Sequence, residues 1–324
     1  EPKAFFLFSS AKIQMDTTTI RSLGESVLGE SPQAIIRKTI GMCNEVYELQ
    51  LADKSYILRM NREKEWIYGT HKFLPLFQEL KIKVPRIIAE DYSKSIYPFC
   101  YQIQTKIAGQ DLAIVFPELQ AEDLRSVAKE ISNIYDKFST LPDQDTFGGL
   151  TGLNEEKEES LLTILEARKE SITARNQVSK VLDEKITQIH DDLLEDYKSY
   201  FHRVKPKLYY DDMSSKNVMI HNGEFNGLVD LDFLSKGDYL EGIGGIIADW
   251  YGSEAGEYYI NQILQNQRLD AFQQKVVKVY AIFHLILWTS EEGIRFNSNS
   301  TGEINWARVG ERRTKILDLY ASIS

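Results

Sequence analysis

The first third of the chain alternates short apolar segments with turn-forming residues, a pattern typical of β-strands. An amphipathic stretch at 17–28 predicts a short opening helix. Five segments have strand character: 34–40, 46–51, 56–60, 84–89 and 99–106. Residues 63–80 have helical character, although Gly69 and Pro75 lie within them and predict a kink or an early end. This part of the chain therefore predicts a mainly antiparallel sheet that carries one helix.

After Gly109 the pattern becomes mostly helical. Apolar residues between 124 and 138 recur at helical spacing and form one stripe. Further helices are predicted at 158–174, 178–201, 272–288 and 306–320, and short strands at 208–210, 218–221 and 227–232. We therefore predict an α+β fold of two lobes: a small lobe at 17–108 and a larger, mostly helical lobe at 109–324. Residues 1–16 are expected to be a non-native or flexible extension, with the native chain starting near Met15.

Composition and charge exclude several classes of protein. Apolar residues make up 43% and charged residues 27% of the chain, which is ordinary for a globular protein. No apolar run is long enough to span a bilayer, and the net charge of −10 does not favour nucleic-acid binding. Cys43, Cys100 and five scattered histidines lack the spacing of a metal site. We expect a cytoplasmic monomer or homodimer without nucleic-acid or membrane partners, whose acidic surface would also suit a cationic ligand.

The residues that carry chemistry are concentrated between positions 210 and 232. Asp212 is followed five positions later by Asn217, and Asp230 ends an apolar strand after a predicted hairpin. A carboxylate can orient a hydroxyl group and accept its proton, whereas an amide oxygen and a second carboxylate suit magnesium, a hard cation. The spacing matches the D-x-x-x-x-N pattern of kinase catalytic loops. The segment therefore predicts phosphoryl transfer.

This segment resembles the catalytic segment of the aminoglycoside phosphotransferase and choline kinase family, whose members have the protein-kinase fold. The family's usual residues are His-Gly-Asp, Asn-Val and Ile-Asp-Trp-Asp. The matching residues here are Tyr210-Asp211-Asp212, Asn217-Val218 and Val229-Asp230-Leu231-Asp232. The resemblance implies that Asp212 is the catalytic base and that Asn217 and Asp230 bind magnesium. It also implies that Asp232 supports the metal site.

Two positions depart from the family pattern. Tyr210 replaces histidine at a position that braces the loop, and an aromatic hydroxyl could brace it too. Asp211 replaces glycine and places a second carboxylate beside the base, which could raise the pKa of Asp212 or hold a cationic substrate.

The small lobe resembles the nucleotide-binding part of the same family. Residues 40–47 resemble the glycine-containing loop that covers phosphates, which makes Gly41 and Asn44 candidate contacts. Arg59 matches the strand cation that contacts the α- and β-phosphates, and its forked donors suit phosphate. Residues 99–109 resemble the strand and hinge that lead into the large lobe. The resemblance implies that backbone groups from Gln102 to Lys106, including those of Gln104, face the nucleotide base.

One expected partner is harder to assign. The strand cation of kinases pairs with a glutamate on the following helix. Glu65 is our candidate for this residue, and Glu63 is the alternative.

The resemblance implies transfer of the γ-phosphate of ATP or GTP, with magnesium, to a hydroxyl group of a small molecule. We expect an aminoglycoside-type antibiotic as acceptor, with acidic residues such as Asp238, Glu241 and Asp249 available for its amino groups. One alternative is a metabolic kinase for choline, a sugar or an amino-alcohol. Another is a catalytically silent nucleotide-binding pseudokinase, which the changes at 210 and 211 would favour. A protein kinase is disfavoured because no Asp-Phe-Gly and Ala-Pro-Glu pair delimits an activation segment.

Overall fold

The computed structural model describes residues 16–39, 41, 43–213, 215–295 and 301–323. The expected extension lies outside these residues, Met15 included, except for its last residue. Asp16 belongs to the fold because its side chain accepts a hydrogen bond from the backbone N–H of Thr19 at 2.7 Å and so caps the first helix.

The small lobe is built on one antiparallel sheet, as predicted. Its strands are β1 Ala34–Lys38, β2 Glu45–Gln50, β3 Ser55–Asn61, β4 Ile87–Asp91 and β5 Cys100–Thr105. Their spatial order is β1-β2-β3-β5-β4, so that β2, β3 and β5 are flanked on both sides. Helix α1, Thr17–Leu28, packs Ile20 and Leu23 against Leu49 and Leu58 of the sheet. These residues form the smaller of two apolar cores.

Helix α2, Tyr68–Glu79, follows β3 but packs into the larger core. Its side chain Phe77 contacts the rings of Phe138 and Tyr210, both at 5.6 Å between ring centroids. The helix begins five residues later than predicted. It continues through Pro75, so of the two predicted effects, a kink or an early end, the early end was wrong. Residues Lys64–Trp66 form a separate 3₁₀ turn before the helix, and Gly69 in its first turn lies against the backbone of Asp232.

The large lobe is mostly helical, which agrees with the predicted fold class. Its helices are α3 Leu112–Val115, α4 Ala121–Ser139, α5 Leu161–Ser179, α6 Glu184–Asp196, α7 Lys198–Phe201, α8 Leu240–Trp250, α9 Glu254–Asn266, α10 Ala271–Ser290 and α11 Trp306–Ala321. The helix expected at 178–201 is interrupted because Lys180 adopts a left-handed conformation, with φ of 53°, and ends α5. In the part of the chain with described coordinates, no helix is long and apolar enough to cross a membrane.

Two small sheets position the chemistry of the large lobe. Their strands are β6 Gln110–Asp111, β7 Gly148–Leu150, β8 Lys207–Tyr209, β9 Val218–His221, β10 Glu224–Leu228 and β11 Leu234–Gly237, ordered β10-β9-β6 and β7-β11-β8. Asn222 and Gly223, both with positive φ, form the tight turn between β9 and β10. This hairpin brings residue 217, at its start, beside residues 229–232, at its end.

Candidate active site

The loop before β9 and the segment after β10 are joined by a buried tyrosine. The hydroxyl of Tyr210 lies 3.1 Å from the carbonyl oxygen of Val229 and 3.0 Å from that of Asp230. The backbone N–H of Val229 donates to the carbonyl oxygen of Asn217 at 3.0 Å. Tyr210 therefore braces the loop through its hydroxyl group, in the way anticipated from the sequence.

Asp212 and Asn217 lie together within this braced segment. Asn217 is 3% exposed, and its side-chain N–H donates to the backbone carbonyl of Asp212 at 3.2 Å. This bond uses the amide nitrogen and leaves the amide oxygen as a candidate metal ligand. Burial raises the pKa of the Asp212 carboxyl, the positive charge of Lys216 opposes this rise, and the charge of Asp230 adds to it. The three charged groups are thus near neighbours.

Lys216 is a candidate site residue that the sequence reasoning did not single out. Its pKa is raised by the charge of Asp212, against the effect of burial, and further by Asp230. It stands directly before Asn217, so its place inside the D-x-x-x-x-N segment was the signal that could have identified it.

Asp230 has the backbone geometry of a functional residue. Its φ is 62°, a left-handed conformation that costs a residue other than glycine about 1–3 kcal/mol. The hydrogen bond from Tyr210 to its carbonyl oxygen helps to hold this conformation. Its side chain is 40% exposed, and one carboxylate oxygen accepts from Nη2 of Arg59 at 2.6 Å. Asp230 therefore retains oxygen lone pairs that face the open site.

Asp232 differs from Asp230 because both oxygens of its carboxylate already accept two hydrogen bonds each. It is 1% exposed. Oδ1 accepts from the backbone N–H of Thr70 at 2.9 Å and from the Thr70 hydroxyl at 2.8 Å. Oδ2 accepts from the amide of Asn44 at 3.1 Å and from the Arg59 guanidinium. A carboxylate offers about four lone-pair sites, so Asp232 has none left for a metal and supports the site only through its neighbours.

Arg59 lies in β3 and points into the same site. It is 4% exposed and contacts three acceptors: Asp230, Asp232 and the hydroxyl of Thr70, the last at 2.9 Å from Nη1. Burial works against its charge, but Asp232 and Asp230 outweigh burial and raise the pKa of Arg59 above its usual value.

The prediction that Glu65, or alternatively Glu63, pairs with Arg59 was wrong. Glu65 lies in a short 3₁₀ turn before α2, and its carboxylate accepts a hydrogen bond from the side chain of Asn154. Glu63 is exposed, with Lys94 at 3.8 Å. The helix starts only at Tyr68, so both glutamates precede it, and Thr70 in its first turn contacts Arg59 instead.

Asn44, expected to contact the nucleotide, is buried and used elsewhere. Its side-chain amide donates to Asp232 and, at 3.1 Å, to the carbonyl oxygen of Trp66. It therefore fixes the base of the loop rather than facing phosphate. Gly41 lies in that loop and is partly exposed, and its neighbours at 40 and 42 fall outside the described residues. Its role as a phosphate contact stays a prediction.

Gln102 and Gln104 are not placed to receive a nucleotide base. Both lie inside β5, which pairs with β3 on one side and with β4 on the other, so its backbone groups serve the sheet. Both side chains are buried, and Gln104 donates to Gln102 at 2.8 Å. The candidate hinge is therefore limited to residues 106–109, which lie beyond the end of the strand.

Three acidic residues near the base have structural partners. Asp211 accepts a hydrogen bond from Ser235 at 2.7 Å, and its pKa is raised to about 6, chiefly by burial and further by the charge of Asp212. Asp238 accepts from Tyr200, Tyr280 and the backbone of Leu240. Glu241 pairs with Arg168 and accepts from Tyr209. Asp238 and Glu241 are buried, and their partners leave them unable to receive the amino groups of an acceptor.

Asp249 is the acidic candidate that remains open. Its side chain is half-buried and has no hydrogen-bond or ion-pair partner among the described residues. Its negative charge raises the pKa values of both Asp212 and Lys216, which places it near the base. On α10, half-buried His284 and Trp288 lie with ring centroids 5.4 Å apart. The negative charge of Asp249 also acts on His284. Asp249, His284 and Trp288 therefore outline a candidate acceptor surface, of which Asp249 lies near Asp212.

A model of the family described as phosphotransferase enzyme family matches residues 39–274 of the chain. The chain belongs to this family. The match begins just before the glycine-containing loop and ends within α10, so it includes the candidate site residues named above except His284 and Trp288. Membership confirms the predicted family and the predicted enzyme class, a phosphotransferase.

Solved structures show the same fold at low sequence identity. An apo structure of a thermostable mutant of the aminoglycoside phosphotransferase APH(4)-Ia has a TM-score of 0.69 and 15% identity, covering 93% of this chain and 98% of its own. A GDP complex of a mutant aminoglycoside 2'-phosphotransferase-IIIa has a TM-score of 0.70 and 14% identity, covering 95% and 100%. Among curated proteins, no sequence matches the chain. These similarities confirm the two-lobed kinase-like fold.

Proposed function

We propose that this phosphotransferase moves the γ-phosphate of ATP or GTP, bound with magnesium, onto a hydroxyl group of a small molecule. The observation that carries the proposal is the convergence of Asp212, Asn217, Asp230 and Arg59 on one site. Carboxylates, an amide oxygen and a fixed cation are the groups that phosphoryl transfer by positioning and charge stabilisation needs.

The residues at this site suit magnesium. Asp230 has a half-open carboxylate, and Asn217 has an amide oxygen that no described donor uses. Magnesium keeps several waters and takes one or two carboxylates together with phosphate oxygens, so two protein ligands are sufficient. Asp230 and Asn217 would hold the ion, which would supply positive charge to offset the charge of the phosphates.

The other residues act on the substrate and the phosphates. Asp212 would orient the acceptor hydroxyl and accept its proton late in transfer. Lys216, between Asp212 and Asp230 in its charge interactions, would keep Asp212 ionised and balance negative charge on the transferred group. Arg59 would donate to phosphate oxygens from its anchored position, because its fork presents several N–H groups.

We propose an aminoglycoside-type molecule as the acceptor. The carboxylate of Asp249, and that of Asp211 beside the base, would attract amino groups toward the base. A structural neighbour, a thermostable mutant of APH(4)-Ia, is described in a ternary complex with AMP-PNP and hygromycin B, which supports nucleotide as donor and an aminoglycoside as acceptor.

A second candidate is an amino-alcohol or sugar kinase. It is favoured by the small number of uncommitted carboxylates, since Asp238 and Glu241 are buried with their partners. An acceptor with a single positive charge would need only Asp249 and the aromatic side chains of α10. Cytoplasmic location and a monomeric or homodimeric state stay predictions.

The test is nucleoside-diphosphate release with magnesium and ATP or GTP across aminoglycosides, choline, sugars and amino-alcohols, with Asp212→Asn as the control. We expect stimulation by one acceptor class, and loss of that stimulation in the variant. If the wild type binds nucleotide but neither it nor the variant responds to any acceptor, the pseudokinase interpretation would replace this proposal.

A further inference from the structure

We infer that Asp232, rather than a helix glutamate, is the positioning residue that holds Arg59 in place for the phosphates and fixes helix α2 to the catalytic lobe. The inference rests on the proposed function, because it assigns a role within the same site. Asp232 joins four separate segments: the loop at Asn44, strand β3, the first turn of α2 and the segment after β10.

The carboxylate of Asp232 is buried and holds its neighbours through four hydrogen bonds. Its two oxygens accept from Asn44, Arg59 and twice from Thr70, and each of these partners is itself buried. The backbone N–H of Thr70 lies in the first turn of α2, where unpaired N–H groups and the helix dipole favour a carboxylate. The arrangement therefore satisfies the helix start and the guanidinium with a single carboxylate.

The close approach of backbones shows that α2 is held tightly in this position. A Cβ atom at Gly69 would lie 1.9 Å from the carbonyl oxygen of Asp232, and one at Gly152 would lie 2.6 Å from the backbone nitrogen of Gly69. Lys72 of α2 also donates to the carbonyl oxygen of Thr151 at 3.3 Å. The beginning of α2 is therefore enclosed by the large lobe on two sides.

Asp232 has a further consequence for Asp230. The same guanidinium nitrogen of Arg59, Nη2, contacts both carboxylates. Because Asp232 holds Arg59 independently, Asp230 can turn toward a metal without releasing Arg59. If Asp232 lost its charge, Asp230 would be the only carboxylate on Arg59, and metal binding would then compete with that ion pair.

The test measures MgATP affinity by calorimetric titration of the full chain at several magnesium concentrations. For Asp232→Asn we expect MgATP binding about 10–100-fold weaker and a higher magnesium requirement, as for other residues that orient a metal site from behind. The matched control is Asp238→Asn, which also removes charge from a buried, multiply bonded carboxylate. Among the described residues, the hydrogen-bond partners of the Asp238 side chain are two tyrosines and a backbone N–H. Asp238→Asn should leave the MgATP affinity and the magnesium requirement within about 3-fold of wild type.

A double-mutant cycle separates positioning from a merely structural role. In an Arg59→Met background, Asp232→Asn should change MgATP affinity by less than about 3-fold, since the residue that it positions is gone. If Asp232→Asn does not fold, Thr70→Val and Thr70→Ser replace it, and only the valine variant should weaken binding. Three results would overturn the inference while leaving the proposed kinase function in place. Asp232→Asn could bind MgATP as well as Asp238→Asn does, or Thr70→Val could bind it as well as Thr70→Ser does. The third such result is additive losses of MgATP affinity in the cycle. A wild type that binds no MgATP would overturn the proposed function and this inference with it.

Discussion

The contact between α2 and the segment after β10 makes a sharp steric prediction at Gly69. In Gly69→Ala the new Cβ would lie 1.9 Å from the Asp232 carbonyl oxygen and 2.5 Å from its carbonyl carbon and Cα. All three atoms belong to the backbone, so no side chain can rotate away. The helix start and the segment must separate by about 1 Å or more, a shift that a well-packed interior resists.

The expected loss of stability follows from the hydrogen bonds that this separation breaks. The two hydrogen bonds from Thr70 to Asp232, at 2.9 and 2.8 Å, would lengthen beyond hydrogen-bonding distance. Overpacking costs about 1–3 kcal/mol, and each hydrogen bond to a charged group contributes about 1.5–3 kcal/mol. The higher helix propensity of alanine offsets about 1 kcal/mol of this loss of stability. We expect a loss of about 3 kcal/mol or more in the free energy of unfolding, which for a chain of 324 residues lowers Tm by about 4–5 °C or more.

The assay compares thermal and denaturant unfolding of Gly69→Ala with those of Gly310→Ala. Gly310 lies within α11, and a Cβ atom there would meet no atom within 4 Å. The control should therefore equal the wild type or gain up to about 1 kcal/mol. The MgATP-induced rise in Tm should also shrink in Gly69→Ala only. A Gly69→Ala protein with the stability and nucleotide response of the control would refute the reasoning.

Three further predictions concern the large lobe. Because the folded pKa of Asp211 is raised to about 6 by burial, the folded state binds more protons than the unfolded state between pH 4 and 6, so stability falls as pH rises through this window. Asp211→Asn should flatten this part of the stability–pH curve and gain roughly 2–3 kcal/mol over wild type above pH 6, whereas an unchanged curve would contradict the assigned burial. Tyr210→Phe should lose about 1–2 kcal/mol in denaturant unfolding and reduce kcat, since the carbonyl oxygens of Val229 and Asp230 lose their donor; a variant with wild-type kcat would argue against the brace. Arg168→Met should cost about 3–5 kcal/mol by leaving the carboxylate of Glu241 unpaired and buried, and Arg168→Met with Glu241→Leu should recover part of this loss in a double-mutant cycle.

The sequence was most informative where the chemistry is local. Asp212, Asn217 and Asp230 stand close in the chain, and a single hairpin joins them, so their spacing alone predicted their meeting. The small-lobe sheet was predicted for a similar reason, because each strand is short, apolar and bounded by turn residues.

The partners of Arg59 could not be predicted in this way. Thr70 meets Asp232 across 162 positions of sequence, and Asn44 meets it across 188. No periodicity or spacing encodes such a contact, since it depends on how α2 leaves the sheet and enters the core of the large lobe. The expectation for Glu65 depends only on its position along the chain, and the helix start at Tyr68 leaves Glu65 outside the site.

The error at Gln102 and Gln104 has a different cause. The predicted strand is present as β5, but its sequence does not reveal the order of the strands in the sheet. A strand flanked on both sides uses its backbone groups within the sheet, so only the residues beyond its end can meet a nucleotide. Sheet order is a property of the folded chain, and the local pattern is the same for an edge strand and a central strand.

We propose that this phosphotransferase places a phosphoryl group on a small-molecule hydroxyl with Asp212 as its base. The most direct measurement is mass spectrometry of an aminoglycoside incubated with MgATP or MgGTP and the enzyme, beside the same reaction with Asp212→Asn. The account predicts a phosphorylated aminoglycoside with the wild type and essentially none with the variant. Equal phosphorylation by both proteins would contradict the role of Asp212, and an unmodified aminoglycoside beside a phosphorylated amino-alcohol or sugar would contradict the proposed acceptor class.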